Sequence, residues 1–309
     1  MKYDICVVGG CSIDQIYFMD KNGNYPKKPN IINFGGKASN QAIAASRAGS
    51  EVVIISRLGK DKIGKLIYDN LINNNVSVKG IEIIENLKND MANIYIDKNS
   101  KDNIIERVTN TIDSFDVSMI KKFKDILLNS KIVVAQMKAP KEFDASLINF
   151  CYENNIPIVI TPCNPEKLSI IEKSNKELID KIYLITCNEK ECMNIFKNNN
   201  IEDVLKEYPN KLIVTLGNRG VIYNNGKRNV HIPSPKVDKV EDTTGAGDTF
   251  NGNLISSLLQ GDNLHDSIIK AQFASSMKIR IKSAQKGMPY KDELKKYIDM
   301  YEKLNDIKK

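Results

Sequence analysis

Short apolar runs that alternate with segments of helical character constrain this chain more than any other feature. The runs lie at 5–8, 52–56, 132–135, 158–161, 182–186 and 212–216, and each reads as a buried strand. Apolar residues at helical spacing mark 39–48, 65–74, 117–128, 144–154, 190–196, 248–260 and 264–281. A strand that is apolar on both sides needs cover on both faces, and alternation with helices supplies that cover. The expected class is therefore α/β, with a mostly parallel central sheet. Such sheets bind ligands beyond the carboxyl ends of their strands.

Two stretches break the alternation. Residues 17–34 are polar, contain Pro26 and Pro29, and end in Ile31-Ile32-Asn33-Phe34. Residues 91–109 alternate through Ala92, Ile94 and Ile96, turn at Lys98-Asn99-Ser100, and return through Ile104, Ile105 and Val108. That pattern predicts a β-hairpin. Both read as excursions, at about 15–34 and 91–109, from one domain covering 1–309, and together they would form a small β lid. Ordinary surface decoration is the alternative. No linker rich in Pro and Gly divides the chain, and no repeat is visible.

Composition narrows the function. The 309 residues are 41% hydrophobic and 27% charged, as in an ordinary soluble protein. The formal charge of +7 favours anionic ligands only weakly, and no basic patch with interleaved aromatics points to nucleic acid. The six cysteines include no CxxC pair, and with two histidines a Cys/His zinc site is not expected. No signal-peptide pattern opens the sequence, and no apolar run is long enough to span a membrane. The expected compartment is the cytoplasm.

Two glycine patterns lead nowhere. Gly9-Gly10 follows the first strand without the spacing of a dinucleotide fingerprint. The run from Gly59 to Lys65 nearly spells a P-loop, but Leu66 stands where a Mg²⁺-binding hydroxyl belongs.

The run Asp242-Thr243-Thr244-Gly245-Ala246-Gly247-Asp248 is different, because it stands immediately before a helix. Amides at a helix N-terminus lack intrahelical partners and carry partial positive charge, and small residues let an anion approach them. Asp248 beside such an anion hole suits proton abstraction from a hydroxyl during phosphoryl transfer. Gly35-Gly36-Lys37-Ala38-Ser39-Asn40 opens another helix with backbone amides, an ammonium and a side-chain amide that could meet a ligand rich in hydroxyls. Asp14 is a strand-end carboxylate able to bind substrate hydroxyls, or to stabilise a turn. Asn188 and Glu191 lie three apart at a helix start, where they could order water around Mg²⁺ or simply cap the helix. Thr215-Leu216-Gly217-Asn218-Arg219-Gly220 offers a tight turn for a nucleotide, or a plain strand–turn–strand connection.

Taken in order, these segments resemble the ribokinase-like (PfkB) sugar kinase family, from about Ile5 to Pro289. The resemblance implies a three-layer sandwich with a small β lid, and ATP-dependent phosphorylation of a primary hydroxyl on a small sugar such as ribose or a related pentose or hexose. It implies Asp248 as base, with Gly245, Ala246 and Gly247 as anion hole. Ser12, Asp14, Gly35, Gly36, Lys37, Asn40 and Lys138 would surround the sugar. Asn188, Thr215, Gly217, Arg219 and Gly220 would lie along ATP beside Gly247, with Glu191 acting through the waters of Mg²⁺. A monovalent cation, K⁺, would fall to Asp242, Thr244, Ser283 and Gly287, and a homodimer through the lid is implied.

Departures from the family pattern bear on substrate. Ser12 replaces an asparagine, Ala38 a glycine, and Lys138 a sugar-binding glutamate. A cation at position 138 opens the alternative of an acidic or phosphorylated sugar. A nucleoside kinase is a second alternative, with Tyr17, Phe18 and Tyr95 as candidates to line a base. A non-catalytic sugar-binding regulator is a third.

Overall fold

The structure, a computed structural model, describes residues 2–20, 23–96, 103–162 and 176–306. The turn expected at Lys98-Asn99-Ser100 and the thiol of Cys163 lie outside the described residues. The first half of the chain forms β1 (Tyr3–Val8), β2 (Ser12–Phe18), β3 (Ile31–Gly35), α1 (Lys37–Arg47), β4 (Val52–Gly59), α2 (Lys62–Asn73), β5 (Ser77–Ile84), β6 (Asp90–Ile96) and β7 (Asn103–Val108). It continues with α3 (Ser118–Lys122), α4 (Lys124–Leu128), β8 (Ser130–Ala135), α5 (Lys141–Glu153), β9 (Ile158–Ile160) and α6 (Lys176–Asp180). Then come β10 (Leu184–Asn188), α7 (Glu189–Phe196), α8 (Ile201–Glu207), β11 (Leu212–Thr215), β12 (Val221–Asn224) and β13 (Asn229–Ile232). Three helices close the chain: α9 (Ala246–Leu259), α10 (Leu264–Lys278) and α11 (Lys291–Asp306).

The main sheet runs β13-β12-β11-β10-β9-β8-β1-β4-β5. Pairing is parallel from β5 to β11 and antiparallel from β11 to β13. Successive side chains leave a strand on opposite faces, and the core divides accordingly. Ile5 and Val7 of β1, Ile54 of β4 and Val134 of β8 pack with Ile43 of α1, Leu71 of α2, Leu254 of α9 and Ile268 of α10. Cys6, Val53 and Val133 pack on the other side with Met119, Phe143, Cys151, Ile195 and Leu205. The result is an α/β/α sandwich. Each fully buried Val, Leu or Ile side chain contributes roughly 1.5–3 kcal/mol, which explains the continuous apolar runs in the sequence.

A second sheet, β3-β2-β6-β7, continues from the carboxyl end of β1 through Gly9-Gly10-Cys11. Strand β2 pairs antiparallel with β3 and parallel with β6, and β6 and β7 form the antiparallel hairpin expected from the alternation. Its register puts Asp14, Ala92 and Arg107 in one row, so Asp14 and Arg107 share a face.

Two elements differ from expectation, and a third falls between two alternatives left open by the sequence. The helix anticipated over 117–128 is two, α3 and α4, because Phe123 leaves helical geometry (φ −104°, ψ 18°) while its ring joins the core. Strand β5 hides behind Gly80, where the register with β4 shifts and a Cβ would lie 2.4 Å from the Ile54 carbonyl oxygen. The turn after β11 leads into an antiparallel partner, β12, so it is the strand–turn–strand connection as well as a cleft wall.

Candidate active site

Helix α9 begins at Ala246 with Gly245 as its N-cap, in the left-handed region (φ 79°) and without a side-chain cap. Glycine fits there on two counts: its φ, and the 2.6 Å at which a Cβ would meet the Ala284 carbonyl oxygen. Around Gly247 a Cβ would meet nothing within 4 Å, so the first turn is open to a ligand. First-turn amides have no intrahelical partner and stand at the positive end of the helix.

Asp248 lies in that turn and is only 8% exposed. Asn40 Nδ2 donates to its Oδ2 at 2.9 Å, and Gln41 Nε2 to its Oδ1 at 3.0 Å. Both donors come from the first turns of α1, so the two signature motifs meet at one carboxylate. Further amides fix the donors: Gln285 Nε2 donates to Asn40 Oδ1 at 2.9 Å, Asn70 Nδ2 to Gln285 Oε1 at 2.9 Å, and Gln136 Nε2 to Gln41 Oε1 at 3.1 Å. Burial pushes the Asp248 carboxyl above the usual range, against the pull of Lys37, the two amides and Lys278. A carboxylate in that state is a better proton acceptor than a solvated one.

Gly36 caps α1 with φ 90°, and a Cβ there would come within 2.7 Å of Gly10 and Ser12 backbone atoms. This close crossing sets Gly35, Ser12 and Asp14 side by side, since a Cβ on Gly35 would touch both side chains at 3.2 Å. Burial raises the Asp14 carboxyl, while Arg107 and Lys138 act to lower it and Asp242 to raise it. Lys138 therefore lies on the site side, and with Ser12, Gly36, Lys37, Asp90 and Gln136 it lines a small cavity of about 20 Å³. Arg107, exposed on the Asp14 face, was not singled out by the sequence; only strand register reveals it.

A larger cavity of about 230 Å³ opens beside Asp248, lined by Lys37, Asn188, Glu191, Thr215, Gly245 and Gly247 among others. It lies beyond the carboxyl ends of β10 and β11 and against the N-terminus of α9. Asn188 and Glu191 do form a capping box, each side chain accepting the other's backbone N–H at 2.9 Å. Glu191 Oε1 nevertheless faces Lys37 Nζ at 3.8 Å across the cavity. The cap fixes the carboxylate without removing it from the cleft.

Thr215 and Gly247 are shared with a neighbouring cavity of about 420 Å³, which Gly217, Gly220, Val237 and Ile279 also line. Val221, Pro235, Val237, Val240 and Ile279 give this second chamber a largely apolar wall. Arg219 is not brought to either chamber. It pairs with Glu189 at 2.5 Å on the outer surface, because the turn over Gly217–Arg219 directs it away from the cleft.

Asp242, Thr244, Ser283 and Gly287 are brought together: the Asp242 carboxylate accepts the backbone N–H groups of Thr244 and Ser283, its carbonyl accepts from the buried ammonium of Lys278, and Gly287 packs on the Lys278 backbone carbonyl. The sequence signal for Lys278 was its place on the buried stripe of α10, four and seven residues after Ala274 and Ala271 with lysine at the end. Gln41, Gln136 and Gln285 were given no role by the sequence; Gln41 follows Asn40 in the helix-opening motif, but only the fold brings the three amides together.

The chain matches the pfkB family carbohydrate kinase over residues 2–291. It is 36% identical over 297 residues to the ribokinase of Lactococcus lactis, covering 94% of this chain and 95% of that one. The ribokinase of Bacillus subtilis is 31% identical over 299 residues, with 96% and 99% covered. The crystal structure of the ribokinase of Thermotoga maritima superposes with a TM-score of 0.81 at 25% identity, covering 96% of this chain and 99% of that one.

Proposed function

Because the chain belongs to the pfkB family of carbohydrate kinases and is an ATP-dependent sugar kinase, we propose that its acceptor is ribose, phosphorylated at the primary hydroxyl with Asp248 as base. One observation carries this reading above the rest: a buried carboxylate, held by Asn40 and Gln41, stands in the first turn of a helix whose amides face an open cleft. Each carboxylate oxygen has lone pairs beyond the hydrogen bond it already accepts, so a sugar hydroxyl can deliver its proton there. The amides of Gly245 and Gly247 stabilise the charge of the transferring phosphoryl group, while Ala246, whose N–H donates to the Thr243 carbonyl at 3.1 Å, fixes the turn between them. Asp14, Gly36, Lys37 and Asn40 hold the sugar, with Ser12, Gly35 and Lys138 around it. Asn188, Thr215, Gly217 and Gly220 border the nucleotide, whose base occupies the apolar chamber beyond Thr215.

Mg²⁺ is the proposed metal. No group of three or more His, Cys, Asp or Glu side chains gathers as a cage among the described residues. Among the described residues, Glu191 and Asp248 are the two carboxylates that line the cavity of about 230 Å³, which suits an ion that keeps most of its waters and is held mainly by phosphate. Glu191 would hold it through those waters, and the ion, when bound, neutralises phosphate charge.

The lid sheet supplies a partner surface. Tyr17 stacks on Tyr95 with centroids 4.9 Å apart, and an odd spacing from Asp14 puts Tyr17 on the opposite face. That face also carries the exposed Ile32 and Ile104. A homodimer through this face is the proposed assembly, and the same geometry takes Tyr17 and Tyr95 away from any nucleoside base beside Asp14. No helix among the described residues is long and apolar enough to cross a membrane. The buried, unpaired thiols of Cys6, Cys11, Cys151, Cys187 and Cys192 suit a reducing cytoplasm.

A second reading has its own observation: Lys138 and Arg107 both act on Asp14, a cationic rim that suits an acidic or phosphorylated sugar. The test is ATP consumption by purified protein over ribose, other pentoses, hexoses, nucleosides, sugar acids and sugar phosphates. Preference for ribose supports the first reading. Preference for an anionic acceptor, lost in Lys138→Glu, replaces it with the second, and a silent panel sinks both.

A further inference from the structure

Lys278, the last residue of α10, has none of its surface exposed. A buried ammonium persists only where charges and hydrogen bonds replace its lost hydration. Its Nζ donates to the Asp242 carbonyl at 2.8 Å, and the carboxylates of Asp242 and Asp248 both act on it. The Asp242 carboxylate is itself fixed, accepting the Thr244 N–H on Oδ1 and the Ser283 N–H on Oδ2, each at 2.9 Å. Gly287 packs on the backbone of the same lysine, where a Cβ would lie 2.6 Å from the Lys278 carbonyl oxygen.

These four residues are the ones to which the family resemblance assigns a monovalent cation, and they do not suit one here. A metal ion placed among them would stand beside an ammonium that already uses the Asp242 oxygen, and like charges at such range repel strongly in a water-poor setting. We propose that the Lys278 ammonium is the resident cation of this loop, so that the enzyme works without a monovalent metal ion. The inference rests on the reading of the chain as an ATP-dependent sugar kinase.

The fixed charge lies against the 242–248 turn and lines neither chamber of the cleft. It ties the turn to the end of α10 through the Asp242 carbonyl, and it adds positive potential beneath the anion hole. It also steadies the ionised form of Asp248. Lys278 touches Asp242 and no ligand-facing atom, so its role is positioning. It replaces an exchangeable ion with a covalently attached one, at no cost in ion affinity.

The direct test uses the unaltered chain. Turnover of ATP with ribose and MgCl₂ is measured in tetramethylammonium buffer, and KCl is then added at constant ionic strength. The expected change in kcat is under about 3-fold, whereas a rise beyond about 10-fold overturns the proposal; a rise between these limits also counts against it. Lys278→Ala should lose about 10-fold or more in potassium-free buffer and regain part of it with KCl. A folded Lys278→Ala protein no more responsive to KCl than the wild type contradicts the assignment, because a merely structural lysine creates no potassium response.

A readout apart from activity is the melting midpoint of the wild type, which KCl should not move relative to tetramethylammonium chloride. A potassium-specific rise means an ion binds the native state after all. If no sugar is turned over in either buffer, the kinase reading falls, and the midpoint comparison still decides on Lys278.

Discussion

Replacing Gly252 by alanine should loosen the site from a distance. Gly252 lies inside α9 where that helix crosses α1, and a Cβ there would meet Ala44 Cβ at 2.6 Å, Ala45 N at 2.7 Å and Gln41 O at 2.9 Å. In an isolated helix the change would favour folding by roughly 0.5–1 kcal/mol. Here ordinary carbon contacts need about 3.5–4.0 Å, so the helices must part by about 1 Å. Overpacking of this kind costs roughly 1–3 kcal/mol, and the net effect should be destabilising by about 1 kcal/mol. The same parting lengthens the 2.9 and 3.0 Å bonds from Asn40 and Gln41 to Asp248 beyond hydrogen-bond range. A shift of that size should lower kcat by about 10–100-fold. Urea unfolding and initial rates of ATP use with ribose measure the two effects. A Gly252→Ala protein more stable than the wild type, with unchanged kcat, would refute the packing argument.

Other consequences can be checked on the same preparations. Asp248 must be deprotonated to act as base, and burial raises its pKa, so kcat/KM should fall as pH drops, with the acid limb above the ordinary aspartate value of about 3.9; a rate unchanged down to that value would contradict the assignment. Ile104→Lys, on the outer face of the lid sheet, should convert a dimer to monomer by light scattering, and a dimer that survives it places the interface elsewhere. Arg219→Ala should change the KM for ATP by less than about 2-fold, since its partner is the surface residue Glu189. A larger loss would bring Arg219 back to the nucleotide.

Local pattern made much of this legible, and long-range geometry hid the rest. The apolar runs that became β1, β4, β8, β10 and β11 carry the physics of a doubly covered sheet in a few residues each. The turn before Asp248 and the glycines before Asn40 could be read because helix N-termini have a local chemistry. That the two motifs meet at one carboxylate depends on α1 crossing α9, which no spacing in the sequence encodes. Arg107 was invisible because its relation to Asp14 is a register across β6. Gln285 and Asn70 support Asn40 from elements far away in the chain. Strand β5 was obscured by Gly80, whose missing side chain breaks the apolar alternation at the place where β4 approaches closely. Arg219 misled for the opposite reason: its neighbours in sequence line the cleft, yet the turn aims its side chain outward.

The central claim is that a buried carboxylate at the N-terminus of α9 takes the proton from a sugar hydroxyl as ATP delivers phosphate. Its most direct test compares sugar phosphate formation by the wild type and by Asp248→Asn, with ATP binding measured in both. Asparagine keeps the shape but cannot accept that proton, so product formation should fall by at least about 10²-fold while ATP affinity stays near its original value. Near-normal product formation by Asp248→Asn would contradict the account.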